Sequence, residues 1–156
     1  VDFDKPETLN LTFNPHKNKE IESIQYNIGV DSLASVSGAM EGDLDATKGM
    51  YWAWQSGYIN MKIEGKSNSC KTRKNKFQFH IGGYLKPNYA LRKISINFND
   101  NKNGNWNNSS KNKIDVAMDL SQLFENINLS ETNSIMIPGE KAMQFANLST
   151  KMFYLE

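Results

Sequence analysis

His80 and the run Gly49-Met50-Tyr51-Trp52-Ala53-Trp54-Gln55-Ser56-Gly57-Tyr58 hold most of the side chains in this chain with a specific chemistry to offer. Phe77, Phe79 and Ile81 alternate with Gln78 and His80, so in a strand the imidazole lies on the face opposite the apolar set. With Gly82 and Gly83 next, His80 is expected to be accessible. Imidazole nitrogen is a good ligand for copper, zinc or nickel. The thioethers of Met50, Met61 and Met40 suit copper(I), and His16, after Asn14 and Pro15 in an expected loop, is the second of the two histidines. If the aromatic run is extended, Met50, Trp52 and Trp54 share one face, and an indole can cover a cation with its ring. Two histidines, a methionine and a tryptophan wall compose a soft-metal site. The same residues also serve packing, with methionine filling gaps and tryptophan anchoring a core.

Other candidates carry less. Asp43 and Asp45, two apart in a glycine-bearing stretch, are secondary oxygen-ligand candidates. The segment 99–104 resembles the start of a calcium loop, but its twelfth position is Ser110 rather than glutamate, and Asn103-Gly104 is explained by a turn, so calcium is not expected. No nucleophile elbow, HExxH, phosphate loop or dinucleotide fingerprint occurs. Nothing in the spacing of Glu41, Asp43, Asp45 and Glu64 fixes a catalytic carboxylate pair, so the chain is read as a non-enzyme. Three tryptophans and six tyrosines keep an alternative open: a surface module for glycan, peptide or protein that uses no metal.

At 156 residues with 38% apolar content, the chain reads as one domain, 1–156, with one thin core. Net charge is +1, from 18 basic and 17 acidic residues, which gives no general attraction to nucleic acid. The stretch 66–76 departs from this balance: it holds five basic residues and no acid. A solvated loop explains it, and a phosphate or lipid contact is the alternative. The single Cys70 makes no internal disulfide. No apolar run has the length of a membrane span. The start at Val1, without methionine or signal segment, leads us to expect a processed or truncated product.

These candidates need elements to hold them. Two-residue alternation predicts strands over 9–13, 21–30, 51–64, 77–81 and 91–98, and a returning strand through Ile114, Val116 and Met118. Asn103-Gly104 is a strong hairpin signal between the last two. The stretch 31–48 has no period and is expected to be a long loop. Asp119 is placed to cap a short helix over 120–126, Pro138 to open another holding Ala142, Phe145 and Ala146, and the chain to end in a strand near 151–155. Without a strand–helix–strand rhythm, the expected fold is mainly β: an antiparallel β-sandwich with one or two short helices in the C-terminal third.

The segments Tyr26-Asn27-Ile28-Gly29-Val30-Asp31, Gly42-Asp43-Leu44-Asp45, the run from Gly49 to Ile59, Glu64-Gly65 and Phe79-His80-Ile81-Gly82-Gly83 together resemble the MbnP-like family. That family groups bacterial envelope proteins related to MbnP and to the copper-repressible proteins CorA and MopE. The resemblance covers about residues 21–155. It implies a β-sandwich-like domain, export to the periplasm or outer cell surface, and a lipid tether on the precursor in Bacteroidetes-type members. It implies copper bound through histidine, with an oxidised tryptophan near the metal. His80 matches the family histidine before the glycines, and Trp52 and Trp54 match its tryptophan motif. Another envelope protein or a surface ligand is the implied partner. Members usually carry further N-terminal strands, which this chain is expected to lack.

Overall fold

The computed structural model describes residues 1–12, 21–55, 57–98 and 114–156. Its strands are β1 (Ser23–Ile28), β2 (Tyr51–Trp52), β3 (Gly57–Lys66), β4 (Lys76–Gly82), β5 (Arg92–Asn97), β6 (Val116–Met118), β7 (Ser134–Ile135) and β8 (Phe153–Leu155). The helices are α1 (Ser32–Val36), α2 (Ser121–Phe124) and α3 (Glu140–Ser149). The main sheet has the order β2-β3-β4-β7; β1 pairs with β5 and β6 with β8 in two smaller sheets.

The alternating segments form the expected long hairpin, β3 with β4. Met61, Ile63 and Gly65 stand opposite Ile81, Phe79 and Phe77 on one face. Lys62 and Glu64 stand opposite His80 and Gln78 on the other. The register slips between Ile59 and Met61, so that Ile59 faces Gly82. The extra residue, Asn60, reverses the parity of β3 below it, because side chains alternate with a period of two. Gly57, Tyr58 and Ile59 are all buried, so both faces of β3 are covered on the far side of the bulge.

The expected sandwich is not what covers the core face of this sheet. The ring of Phe79, fully buried, lies 4.5 Å from Phe145 of α3. Ala142, Phe145, Ala146 and Ser149 are buried at helical spacing, so α3 presents one apolar stripe to the strands. Leu123 of α2 and Met152 complete that cluster. The fold is therefore mixed α and β, with several antiparallel sheets and helices concentrated toward the C-terminus. One pairing is parallel: β4 with β7 through Gln78–Ser134 and Phe79–Ile135. A second cluster joins Ile94, Ile96, Phe98 and Leu155, and Phe153 packs against both.

Three further expectations are corrected. Pro6 opens a 3-10 turn over Pro6–Leu9 where a strand was expected from residue 9, since a fixed φ and a missing N–H suit a first helical turn. The segment 31–48 is not a bare loop: Asp31 caps α1 through Ala34 N–H at 2.8 Å, and two 3-10 turns follow, Gly42–Leu44 and Ala46–Lys48. The strand β6 does not return along β5. It pairs with β8, and β5 pairs with β1. The Asn103-Gly104 turn lies outside the described residues.

Phe79→Ala tests the helix-on-sheet core. It should lower stability by about 3–5 kcal/mol, the cost of a large apolar truncation in a packed core. Urea denaturation reads this as a lower midpoint at unchanged slope. A loss under ~1 kcal/mol would contradict the packing.

Candidate functional site

His80 sits in β4 between Phe79 and Ile81, whose burial fixes which way the strand faces. It points away from them, as its spacing predicts, but it is not open: the residue is 8% exposed. On this side of the sheet, two residues along β4 at Gly82, lies Trp52, also buried. A Cβ on Gly82 would lie 2.7 Å from Cζ3 of Trp52 and 2.6 Å from the Tyr58 carbonyl. The indole therefore rests directly on bare backbone, and only glycine admits it. Gly57 does the same for Tyr84, whose ring would come within 2.7 Å of an added Cβ. Tyr84 is held in turn by Ser32 of α1, whose Oγ donates to the Tyr84 carbonyl at 2.6 Å.

The aromatic run is only partly extended. Trp52 ends β2 opposite Gly57, and the chain then turns, with Gln55 N–H donating to the Trp52 carbonyl. Trp54 falls in that turn and is 62% exposed, so it does not share the sheet face of Trp52. The two indoles still meet, with centroids 5.5 Å apart and planes at 43°. Met50 continues the β2–β3 pairing, its carbonyl accepting Ile59 N–H at 2.9 Å. Strand alternation puts its half-buried side chain on the side that carries Trp52.

The imidazole has a partner that sequence reading missed. His80 Nε2–H donates to Glu64 Oε1 at 2.6 Å, diagonally across the β3–β4 pair. Lys62, directly opposite His80, brings Nζ within 3.8 Å of the same oxygen. The hydrogen bond from His80 holds the Glu64 carboxyl below its ordinary 4.5; burial opposes it, and the charges of Lys62, His80 and Lys76 add to the lowering. With Nε2 donating, a neutral His80 keeps its lone pair on Nδ1, which has no hydrogen-bond partner among the described residues. The indole Nε1 of Trp52 and the side-chain oxygen of Gln55 are likewise buried without a partner there.

The other candidates do not join this group in the described structure. Asp43 pairs with Lys48 at 2.9 Å, and that contact lowers its pKa. Asp45 accepts the Thr47 N–H at 2.8 Å and hydroxyl at 2.7 Å, capping a 3-10 turn, and those bonds lower its pKa. Both carboxylates already serve local structure. The hydroxyl of Tyr58 gathers the same segment, accepting Met40 N–H and donating to the Leu44 carbonyl, each at 2.9 Å. His16, Trp106 and the calcium-like stretch 99–110 lie outside the described residues. Among the described residues no group of three or more His, Cys, Asp or Glu side chains is placed to hold a metal ion. None of their helices is long and apolar enough to cross a membrane.

Copper, which the resemblance implies, meets one suitable donor here. Nδ1 of an imidazole whose other nitrogen is fixed by a carboxylate is an oriented ligand. Glu64 is the orienting group, and the Lys62 ammonium beside it opposes a further cation. The described residues thus hold one oriented nitrogen and no complete donor set.

The chain belongs to the MbnP family, whose model matches residues 1–137. No curated protein and no solved structure matches the chain.

The Glu64–His80 contact has a pH signature. A carboxyl held low in the folded state adds stability above its unfolded pKa, and that stability fades as pH falls through the folded value. Glu64→Gln should therefore cost stability above about pH 4.5, by ~1 kcal/mol or less because the carboxylate is half exposed, with the gap closing toward lower pH. Paired denaturation curves across pH check this. A gap that grows on acidification would overturn the assignment.

Proposed function

We propose that this chain is a non-enzymatic protein of the bacterial envelope that binds or handles copper, acting as one domain in the periplasm or at the outer cell surface. The observation that carries the reading is the Glu64–His80 bond, on the sheet face where Trp52 rests two residues along β4 at Gly82. A metal-binding histidine regularly gives its second N–H to a carboxylate, which fixes the ring and raises the basicity of the ligating nitrogen. His80 is the ligand through Nδ1, and Glu64 is its orienting partner. Met50, on the side of Trp52, is the candidate thioether, and His16 the candidate second imidazole. Bound copper would supply a soft cation beside an indole face. Trp52 supplies a buried indole on the same sheet face, and the exposed Trp54 meets it at a tilted angle. Membership in the MbnP family supports this reading, and the finer kinship to CorA and MopE is part of the proposal. Asp43 and Asp45 stay secondary oxygen candidates, and calcium is not proposed.

A second reading has its own observation. Trp52 Nε1–H and the Gln55 oxygen are buried and unpartnered among the described residues, beside an exposed Trp54. A donor, an acceptor and an aromatic surface suit a polar ligand such as a glycan or a peptide from an envelope partner, with no metal involved.

Competition titration with copper(I) on the full chain decides between them. Tight stoichiometric binding should weaken at least ~10-fold in His80→Ala and ~10–100-fold in Glu64→Gln, the range for losing an orienting partner. Lys62→Ala, which removes a neighbouring cation, should tighten it. Unchanged affinity in His80→Ala sinks the residue assignment. If the chain takes up no copper while tryptophan fluorescence responds to a glycan or peptide in the presence of chelator, the second reading stands. Intact mass and peptide fragmentation measured alongside show whether Trp52 or Trp54 is oxidised, as the resemblance implies.

A further inference from the structure

The far end of the β3–β4 hairpin carries the charge imbalance of the chain. Lys66, Lys71, Arg73, Lys74 and Lys76 are all exposed, and no acidic residue interrupts them. The whole chain carries +1 and this stretch +5, so the remainder carries −4, the difference between the two. Lys76 lies near enough to Glu64 to help keep it ionised. The other four cations have no carboxylate partner among the described residues.

A solvated, shapeless loop would account for such a run, but this loop is built. Cys70 in its middle is buried in the main core and fastens it to the sheet. Ser67 N–H donates to the Asn75 carbonyl at 2.9 Å, Asn75 N–H to Thr72 at 3.0 Å and Cys70 N–H to Ser67 at 3.0 Å. Thr72 Oγ1 donates to the Lys76 carbonyl. Lys74 and Asn75 both sit at positive φ, 64° and 54°, a conformation that side chains other than glycine adopt at a cost. The chain accepts that strain to hold a compact tip from which the basic side chains project.

We propose that this hairpin tip is an electrostatic docking surface for an anionic phospholipid membrane. The chemistry of the tip favours a membrane over other anions. Four of the five cations are lysines, compact point charges that suit a diffuse anionic surface better than the bidentate capture of one phosphate. Residues 66–76 include no aromatic side chain to stack on nucleic-acid bases, and no exposed aliphatic one to insert into acyl chains. The attraction is therefore purely coulombic and confined to the tip, since the remainder of the chain is net negative. This inference is independent of copper, since it uses none of the residues at His80.

Co-sedimentation of the full chain with vesicles tests it. Binding should appear when phosphatidylglycerol replaces a third of the lipid in phosphatidylcholine vesicles, and be absent from phosphatidylcholine alone. It should vanish in ~1 M salt, where the Debye length is ~3 Å. Each basic residue near an anionic surface multiplies partitioning by roughly fivefold, so Lys71→Gln, Arg73→Gln and Lys74→Asn together should weaken it about 100-fold. Asparagine at 74 keeps a residue that tolerates positive φ. A control lacking Lys86, Lys93 and Lys151 removes equal charge elsewhere and should lose far less. Absence of binding to the anionic vesicles, indifference to lipid charge, wild-type binding by the loop variant, or an equal loss in the control would each overturn the proposal. Retention on an acidic polymer such as heparin without vesicle binding would assign the tip to soluble polyanions instead.

Discussion

The register of β3 against β4 is the constraint on which the rest of the molecule depends. One pairing serves two faces. Ile63 with Phe79 and Met61 with Ile81 supply the apolar side that α3 covers, and Lys62 with His80 and Glu64 with Gln78 supply the polar side. A slip of one residue would exchange the two faces, burying a glutamate and a lysine and exposing the core. The bulge at Asn60 ends this arrangement where Trp52 and Tyr84 must settle onto glycines. The same two strands carry the His80–Glu64 bond, the glycine on which Trp52 rests and the basic tip along a single ribbon. The candidate site and the core therefore share one set of backbone hydrogen bonds.

Much of this ribbon was legible in the sequence. The alternation through Ile59, Met61 and Ile63, and again through Phe77, Phe79 and Ile81, fixes two strands and tells their faces apart. Asp119 signals a short helix and accepts Ser121 N–H at 2.9 Å, and the spacing of Ala142, Phe145 and Ala146 signals α3. What escaped depends on distances that a linear pattern does not contain. That Trp52 lies on Gly82 follows from a turn at Ala53–Gln55, which takes Trp54 off the strand. That Glu64 meets His80 follows from a diagonal across the pair, which needs the register. That β1 joins β5 and β6 joins β8 follows from long-range packing through Phe153, while the local turn signal at Asn103-Gly104 suggested a different neighbour. A short apolar stripe also underreports its partner: the helix was visible, but not that it would replace a second sheet.

The polar face is a balance of opposed charges. Glu64 is shared between an imidazole and an ammonium, and each helps hold it ionised. The arrangement orients His80 while leaving positive charge beside it, so affinity for any cation there reflects competition between a good donor and an adjacent repulsion.

Cys70 gives the basic tip a second property. Its thiol is 2% exposed and sits among the aromatic residues of the main core, yet it belongs to the segment that turns the chain around. A thiol reagent reaches it only when the tip lifts from the sheet. The rate of modification therefore follows the opening equilibrium of that end of the hairpin, and not the chemistry of an exposed sulfur. The chain carries in its only cysteine a natural clock for the local breathing of the β3–β4 turn.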